Sequence, residues 1–200
     1  IHLDGGSAPS VIVDGAIVRD VLLGGEAPPS ARRLDCVGNA IRLDGCGARL
    51  SAIRVGRHGM PGLFLERSAI DLVDSALDGA EAAVGIHCDN SQLQVQRTRF
   101  RGHREFALAA RGFSKVTFDS SSVVSSKGNA LQVLDGSAVT VRNSRFESVR
   151  PLPVVILRAT ATATFEETLF RDVTMAIDVA DRSEATLARC GFEDCDCALN

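Results

Sequence analysis

The sequence predicts an all-β fold in which short strands stack in parallel as a solenoid, and three observations carry the prediction. A pattern of apolar positions returns every 20 to 24 residues. The apolar runs between turn residues are too short to pair within one repeat. The core material is aliphatic, with nine Phe and neither Trp nor Tyr. The repeat is clearest over 130–153, ALQVLDGSAVTVRNSRFESVRPLP, where apolar residues fall at Leu131 and Val133, at Val139 and Val141, and at Phe146 and Val149. Each pair marks a short strand or bend with one face turned inward.

Segments on either side follow the same spacing. From Val154 it gives Val155, Leu157, Ala163, Phe165, Phe170 and Val173, and from Ala176 it gives Ile177, Val179, Ala185, Leu187, Phe192 and Cys195. Going backwards, Ala107 opens a turn with Leu108, Ala110, Val116, Phe118 and Val123. Ala83 opens one with Val84 and Ile86 as its inward pair, Gly62 one with Leu63 and Leu65, and Ala40 one with Ile41 and Leu43. A further turn is expected from Asp20, with Val21, Leu23, Leu34 and Val37, after a first strand at Ile1 and Leu3. Self-similarity at such a period signals stacked units that cannot bury an apolar face alone. The expectation is one array of about nine rungs over residues 1–200, each rung pairing in parallel with the next. Strand-like sequence at both ends predicts a piece of a longer protein, with other parts of that chain or a partner against the open ends.

Composition narrows the function classes. A formal net charge of −3 predicts neither generic nucleic-acid affinity nor attraction to an anionic membrane. No apolar run approaches the roughly 20 residues of a membrane span. The six cysteines form no disulfide framework along the repeat, and CGFEDCDC at 190–197 lacks paired C-x-x-C knuckles, so no metal site is expected there.

Stretches such as GNALQVLDGSAVTVRNSRFESV and AIDVADRSEATLARCGFEDC resemble the repeats of the pectate-lyase-like superfamily. They are most similar in style to those of copper-delivery and carbohydrate-binding CASH-type proteins. The resemblance implies a single-stranded right-handed parallel β-helix. It also directs attention to the outward side chains of the first strand in each rung, the face over which the superfamily's enzymes run their active groove.

One outward file on that face reads Asp44, Glu66, His87 and Arg111 on four successive rungs, with adjacent members about 5 Å apart. The resemblance gives Asp44 and Glu66 an acid–base role or a Ca²⁺-holding role, His87 a proton-transfer role, and Arg111 a place on an acidic sugar. As a purely structural feature the same file is a solvated ladder of alternating charge. The paired-Asp and Gly-His-Gly signatures of polygalacturonases and the Asp-Pro-His motif of alginate epimerases are missing, which weighs against an enzyme. The neighbouring file contributes Arg42 and Phe64, and Arg158 lies further along the first. A basic run, Arg97, Arg99, Arg101 and Arg104 with His103, clusters at a bend, either as a site for a phosphate, an acidic glycan or an acidic partner or, as the more ordinary account, as turn arginines on the surface. The second strand carries a file of Thr117, Thr140, Thr164 and Thr186, explained by the preference of threonine for exposed strand positions. The expected function is a rigid binding or scaffold segment that recognises a protein or polysaccharide along one face. The alternative is a lyase or hydrolase of acidic polysaccharide using the Asp44, Glu66, His87 and Arg111 face.

Overall fold

Short strands with alternating burial and polar corners stack directly upon one another. The structure is a computed structural model that describes residues 41–45, 47–56, 61–79 and 84–200, together with the backbone of three earlier strands, β1 (His2–Asp4), β2 (Val11–Asp14) and β3 (Ile17–Arg19). Each turn contributes three strands. The first-strand column runs β1, β4 (Ile41–Asp44), β7 (Leu63–Glu66), β10 (Val84–Asp89), β13 (Phe106–Arg111), β16 (Asn129–Val133), β19 (Pro153–Leu157) and the second half of β21 (Leu169–Val179). The second runs β2, β5 (Gly47–Ser51), β8 (Ala69–Val73), β11 (Gln92–Gln96), β14 (Lys115–Asp119), β17 (Ala138–Arg142), β20 (Thr162–Glu166) and β22 (Glu184–Ala188). The third runs β3, β6 (Arg54–Gly56), β9 (Ala76–Asp78), β12 (Arg99–Arg101), β15 (Ser122–Val124), β18 (Arg145–Glu147), the first half of β21 and β23 (Gly191–Leu199). Every pairing is parallel, from β1 with β4 through β21 with β23. No helix among the described residues is long and apolar enough to cross a membrane.

Two expectations change in detail. From Ile41 the chain makes about seven turns, with β1–β3 stacked on the first of them through pairing of β1 with β4, β2 with β5 and β3 with β6. The turn expected from Asp20 lies outside the described residues. The inward pair on β10 is Ile86 and Cys88, which register with Leu63 and Leu65 on one side and Leu108 and Ala110 on the other. Counting Val84 and Ile86 instead shifts the rung by two residues, because a fully buried Cys occupies a position held by Leu or Ala elsewhere. The shift moves His87 out of the Asp44 and Glu66 file, where Asp89 takes its place.

The core is a set of aliphatic ladders with a phenylalanine stack along one edge. Phe118, Phe146, Phe170 and Phe192 lie 6.1, 5.2 and 5.2 Å apart, ring centre to ring centre, with interplanar angles below 20°. The corners are held by hydroxyls. After each second strand one residue adopts positive φ (Asp74, Arg97, Ser120 and Asn143 among them), and its N–H donates to the rung above. Ile53 fills the first such corner and Cys190 the last, and from Asp74 to Glu167 the next residue turns inward as a buried Ser or Thr. Its hydroxyl donates to the carbonyl two residues back and accepts the corner N–H of the rung below: Ser75 N–H to Thr98, Thr98 N–H to Ser121, and Ser121 N–H to Ser144. A second ladder, Ser68, Ser91, Ser114 and Ser137, repeats this after the first strand. Polar groups that a dry corner leaves without water are thereby satisfied.

Ser121→Ala leaves the buried N–H of Thr98 without its acceptor and is expected to cost about 1–3 kcal/mol, read from the urea midpoint against Ser122→Ala, an outward neighbour whose change stays within about 0.5 kcal/mol. Phe146→Ala opens a cavity in the stack and is expected to cost about 3–5 kcal/mol by the same measurement.

Candidate functional site

The first-strand sheet presents two outward files because side chains on a strand alternate between faces. One file reads Arg42, Phe64, His87, Ala109, Gln132, Ile156 and Asp178, and the other reads Asp44, Glu66, Asp89 and Arg111. Parallel register fixes these neighbours at the rung spacing, so like charges meet unless something intervenes.

Arginines intervene. The Arg42 guanidinium donates to Glu66 Oε2 at 2.7 Å, while Arg67, the first corner residue after β7, reaches Asp44 Oδ1 at 2.6 Å and Glu66 Oε1 at 3.1 Å. Asp44 and Glu66 are half-buried, with 21% and 27% of their side chains exposed. Arg42 also caps Phe64, its guanidinium carbon 4.7 Å from the ring centre. The other side of that ring is covered by His87, stacked at 4.9 Å and within 5° of parallel. Arg42, Phe64 and His87 therefore form a continuous stack over three rungs, and neither face of Phe64 is open to a sugar ring.

Next to this stack lies Arg111. Its Nη2 donates to Gln132 Oε1 at 3.2 Å, while its buried Nε has no hydrogen-bond partner. Asp89 stands beside it in register. Gly112 makes room for that carboxylate: a Cβ there would sit 2.3 Å from Asp89 Oδ1, and the residue has φ of +61°. Burial first, and then the charge of Arg111, hold the His87 imidazole below its ordinary pKa, with Asp89 opposing. His87 is thus a neutral ring at neutral pH.

The remaining candidates separate. Arg158 is ion-paired to Asp178 on the next rung at 2.5 Å, further up the sheet. The basic run does not converge: Arg97 sits at the second corner, bound to Asp74 at 2.6 Å, Arg99 and Arg101 project from β12, and Arg104 lies on the connection to β13. The threonine file is in register as the spacing predicts. Sequence reasoning missed Arg67, whose corner position hides it from a strand count, and Asp89, which becomes visible once Cys88 is read as inward. Among the described residues, no group of three His, Cys, Asp or Glu side chains is placed to hold a metal ion.

Residues 84–199, more than half of the chain, match the family described as the right handed beta helix region. The chain belongs to the right-handed β-helix family. Handedness, parallel pairing and repeat thus agree with what the spacing and the resemblance imply. No curated protein sequence matches the chain. Among solved structures, this β-helix is similar to PfbA, a surface adhesin of Streptococcus pneumoniae, with a TM-score of 0.54 and 10% identity over 82% of this chain and 58% of that one. A second structure of the same surface protein aligns with a TM-score of 0.24 and 7% identity, over 80% and 66% of the two chains. The chain therefore spans less than two thirds of the length of the PfbA chains, and the likeness concerns the fold.

The His87 environment has a measurable sign. Its folded pKa lies below the unfolded value of about 6.5, so between the two the unfolded chain binds the proton and the native chain does not. Stability from this group is full above about pH 6.5 and is lost as pH falls through the folded value. NMR titration is expected to show His87 titrating below the unfolded value, and Arg111→Gln to move it upward. In His87→Phe the slope of stability across that window is expected to flatten.

Proposed function

We propose that this chain is a rigid β-helical binding segment that recognises a protein or glycan partner along its first-strand face. The observation that carries the reading is the neutralisation of that face's carboxylates by arginine. Asp44 and Glu66, the pair suited to acid and base roles, are both occupied by Arg42 and Arg67. His87 stacks on Phe64 and belongs to the other file. The connections after β7 and β10 are two residues each, too short to wall the side on which Asp44 and Glu66 lie. Arg111 and the Arg42, Phe64 and His87 stack instead offer the side-chain types that dominate protein contacts, prearranged so that little entropy is lost on docking. The adhesin role belongs to PfbA, and it supports a binding function for a chain of this fold without specifying the ligand.

The test is binding and turnover of the 200-residue chain on arrays of displayed peptides and of acidic and neutral polysaccharides, with and without Ca²⁺. Binding without product is expected, weakened about tenfold or more by Arg111→Ala, the order of loss for one well-placed contact. Product formation that disappears in Glu66→Gln overturns the reading and makes the chain a polysaccharide-cleaving enzyme.

A further inference from the structure

The third-strand sheet carries a second charged surface, made by register alone. Its outward file reads Arg54, Ala76, Arg99, Ser122 and Arg145 on five successive rungs. The three arginines are exposed, and none makes a salt bridge among the described residues. Alternation with Ala76 and Ser122 places the guanidinium groups two rungs apart, about 10 Å at each step. The small residues between them leave each guanidinium accessible.

The surroundings make this a polar track. Of the acids on the adjoining corner, Asp74 is bound by Arg97 and Glu167 by Arg189 at 2.9 Å. In the neighbouring outward file, Asp78 and Glu147 flank Arg101 and Val124. At its Arg145 end the track opens into a shallow cleft, lined by Ser120, Ser122, Asn143 and Arg145 with Glu167 at the edge. There the Ser120 hydroxyl and the Asn143 amide donate to Asp119 Oδ1 at 3.3 and 3.1 Å, so the Arg145 guanidinium, with the Ser122 hydroxyl beside it, is the group left to meet an anionic ligand.

We infer that the Arg54, Arg99 and Arg145 file is a binding track for an extended polysaccharide that carries a sulfate or carboxylate on alternate sugars. Charges separated by two rungs match a ligand whose anionic groups recur once per disaccharide, since an extended disaccharide advances by a similar length. A nucleic-acid strand presents its phosphates more closely and rewards aromatic side chains between the cations, and this file contains none. The track lies on a different sheet from the Arg111 face. It rests on the binding-segment reading only in that both require a non-catalytic ligand, and variants on the two faces test them separately.

The probes are a hyaluronan octasaccharide, which carries one carboxylate per disaccharide, and a single-stranded DNA oligonucleotide of equal charge, each measured against the 200-residue chain by biolayer interferometry over a range of salt. Each of Arg54→Gln, Arg99→Gln and Arg145→Gln is expected to weaken octasaccharide binding about 3- to 10-fold, as loss of one charge-assisted contact does. The triple variant is expected to weaken it at least about 30-fold and to reduce the salt slope by about one per arginine, as counterion release requires. Lys115→Gln, on the second-strand sheet, leaves the affinity unchanged. An unchanged circular dichroism melt of the triple variant assigns its loss to the track, since the substituted side chains are exposed. Failure of the wild-type chain to bind the octasaccharide overturns the proposal, as does a triple variant within twofold of wild type. So does DNA bound as tightly through the same arginines, which makes the surface a nucleic-acid contact.

Discussion

The constraint on which everything else depends is that each turn must present the same backbone groups, at the same height, to the next. The second corner shows how this is enforced. A single residue at positive φ bends the chain, at a cost of about 1–2 kcal/mol for a side chain other than Gly. At this corner it is Ala, Asp, Arg, Ser, Asn or Glu, and never Gly from Ala52 to Arg189. The bend persists because that residue's own N–H reaches a carbonyl on the following rung, as Arg97 does to Asp119 and Ser120 to Arg142. From Ser75 on, the residue after it fills the inner corner with a hydroxyl that answers the rung below, the first of them accepting the N–H of Ile53. Where the series ends, Cys190 takes the hydroxyl's place and its thiol points to the Phe165 and Ala188 carbonyls. Corner geometry and register are therefore one property.

Once register is fixed, surface chemistry is organised in files. A residue's neighbours are those one repeat away, not those beside it in sequence. This is why the Arg97 to Arg104 run, contiguous on paper, scatters over a corner, a strand and a connection. It is also why Arg54, Arg99 and Arg145, each about two repeats apart, line up. Like charges brought together by stacking are relieved diagonally, Arg42 reaching across to Glu66 and Arg67 back to Asp44.

The fold was legible because its signal is periodic and repeated: one ambiguous rung is outvoted by its neighbours. The second-strand threonine file was readable for the same reason. What escaped was phase. At β10 a two-residue shift moved His87 from one file to the other, since Val84, Ile86 and Cys88 are all buried and alternation cannot say which pair points into the ladder. Only pairing with Leu63 and Leu65 decides it. Corner residues escaped as well, because an apolar count ignores them, and Arg67 is the residue that neutralises the acidic pair.

The stack of Arg42, Phe64 and His87 bears on what the first-strand face is built to do. A general base needs an accessible lone pair and room for a substrate, whereas His87 spends one ring face on Phe64 and sits where burial and Arg111 disfavour its charged form. Its neutrality serves packing: an imidazolium there would place a second cation beside Arg111 and on the far side of the ring that Arg42 already caps. Keeping the ring neutral lets two arginines stand a few rungs apart on one face without repulsion through the stack between them. Asp44 and Glu66 are both answered by guanidinium groups, and the guanidinium of Arg111 holds Gln132 through Nη2 while its buried Nε stays unpartnered. Arginines that hold both carboxylates, and an imidazole kept neutral by its surroundings, are the observations that favour the binding reading of this face over a proton-transfer one.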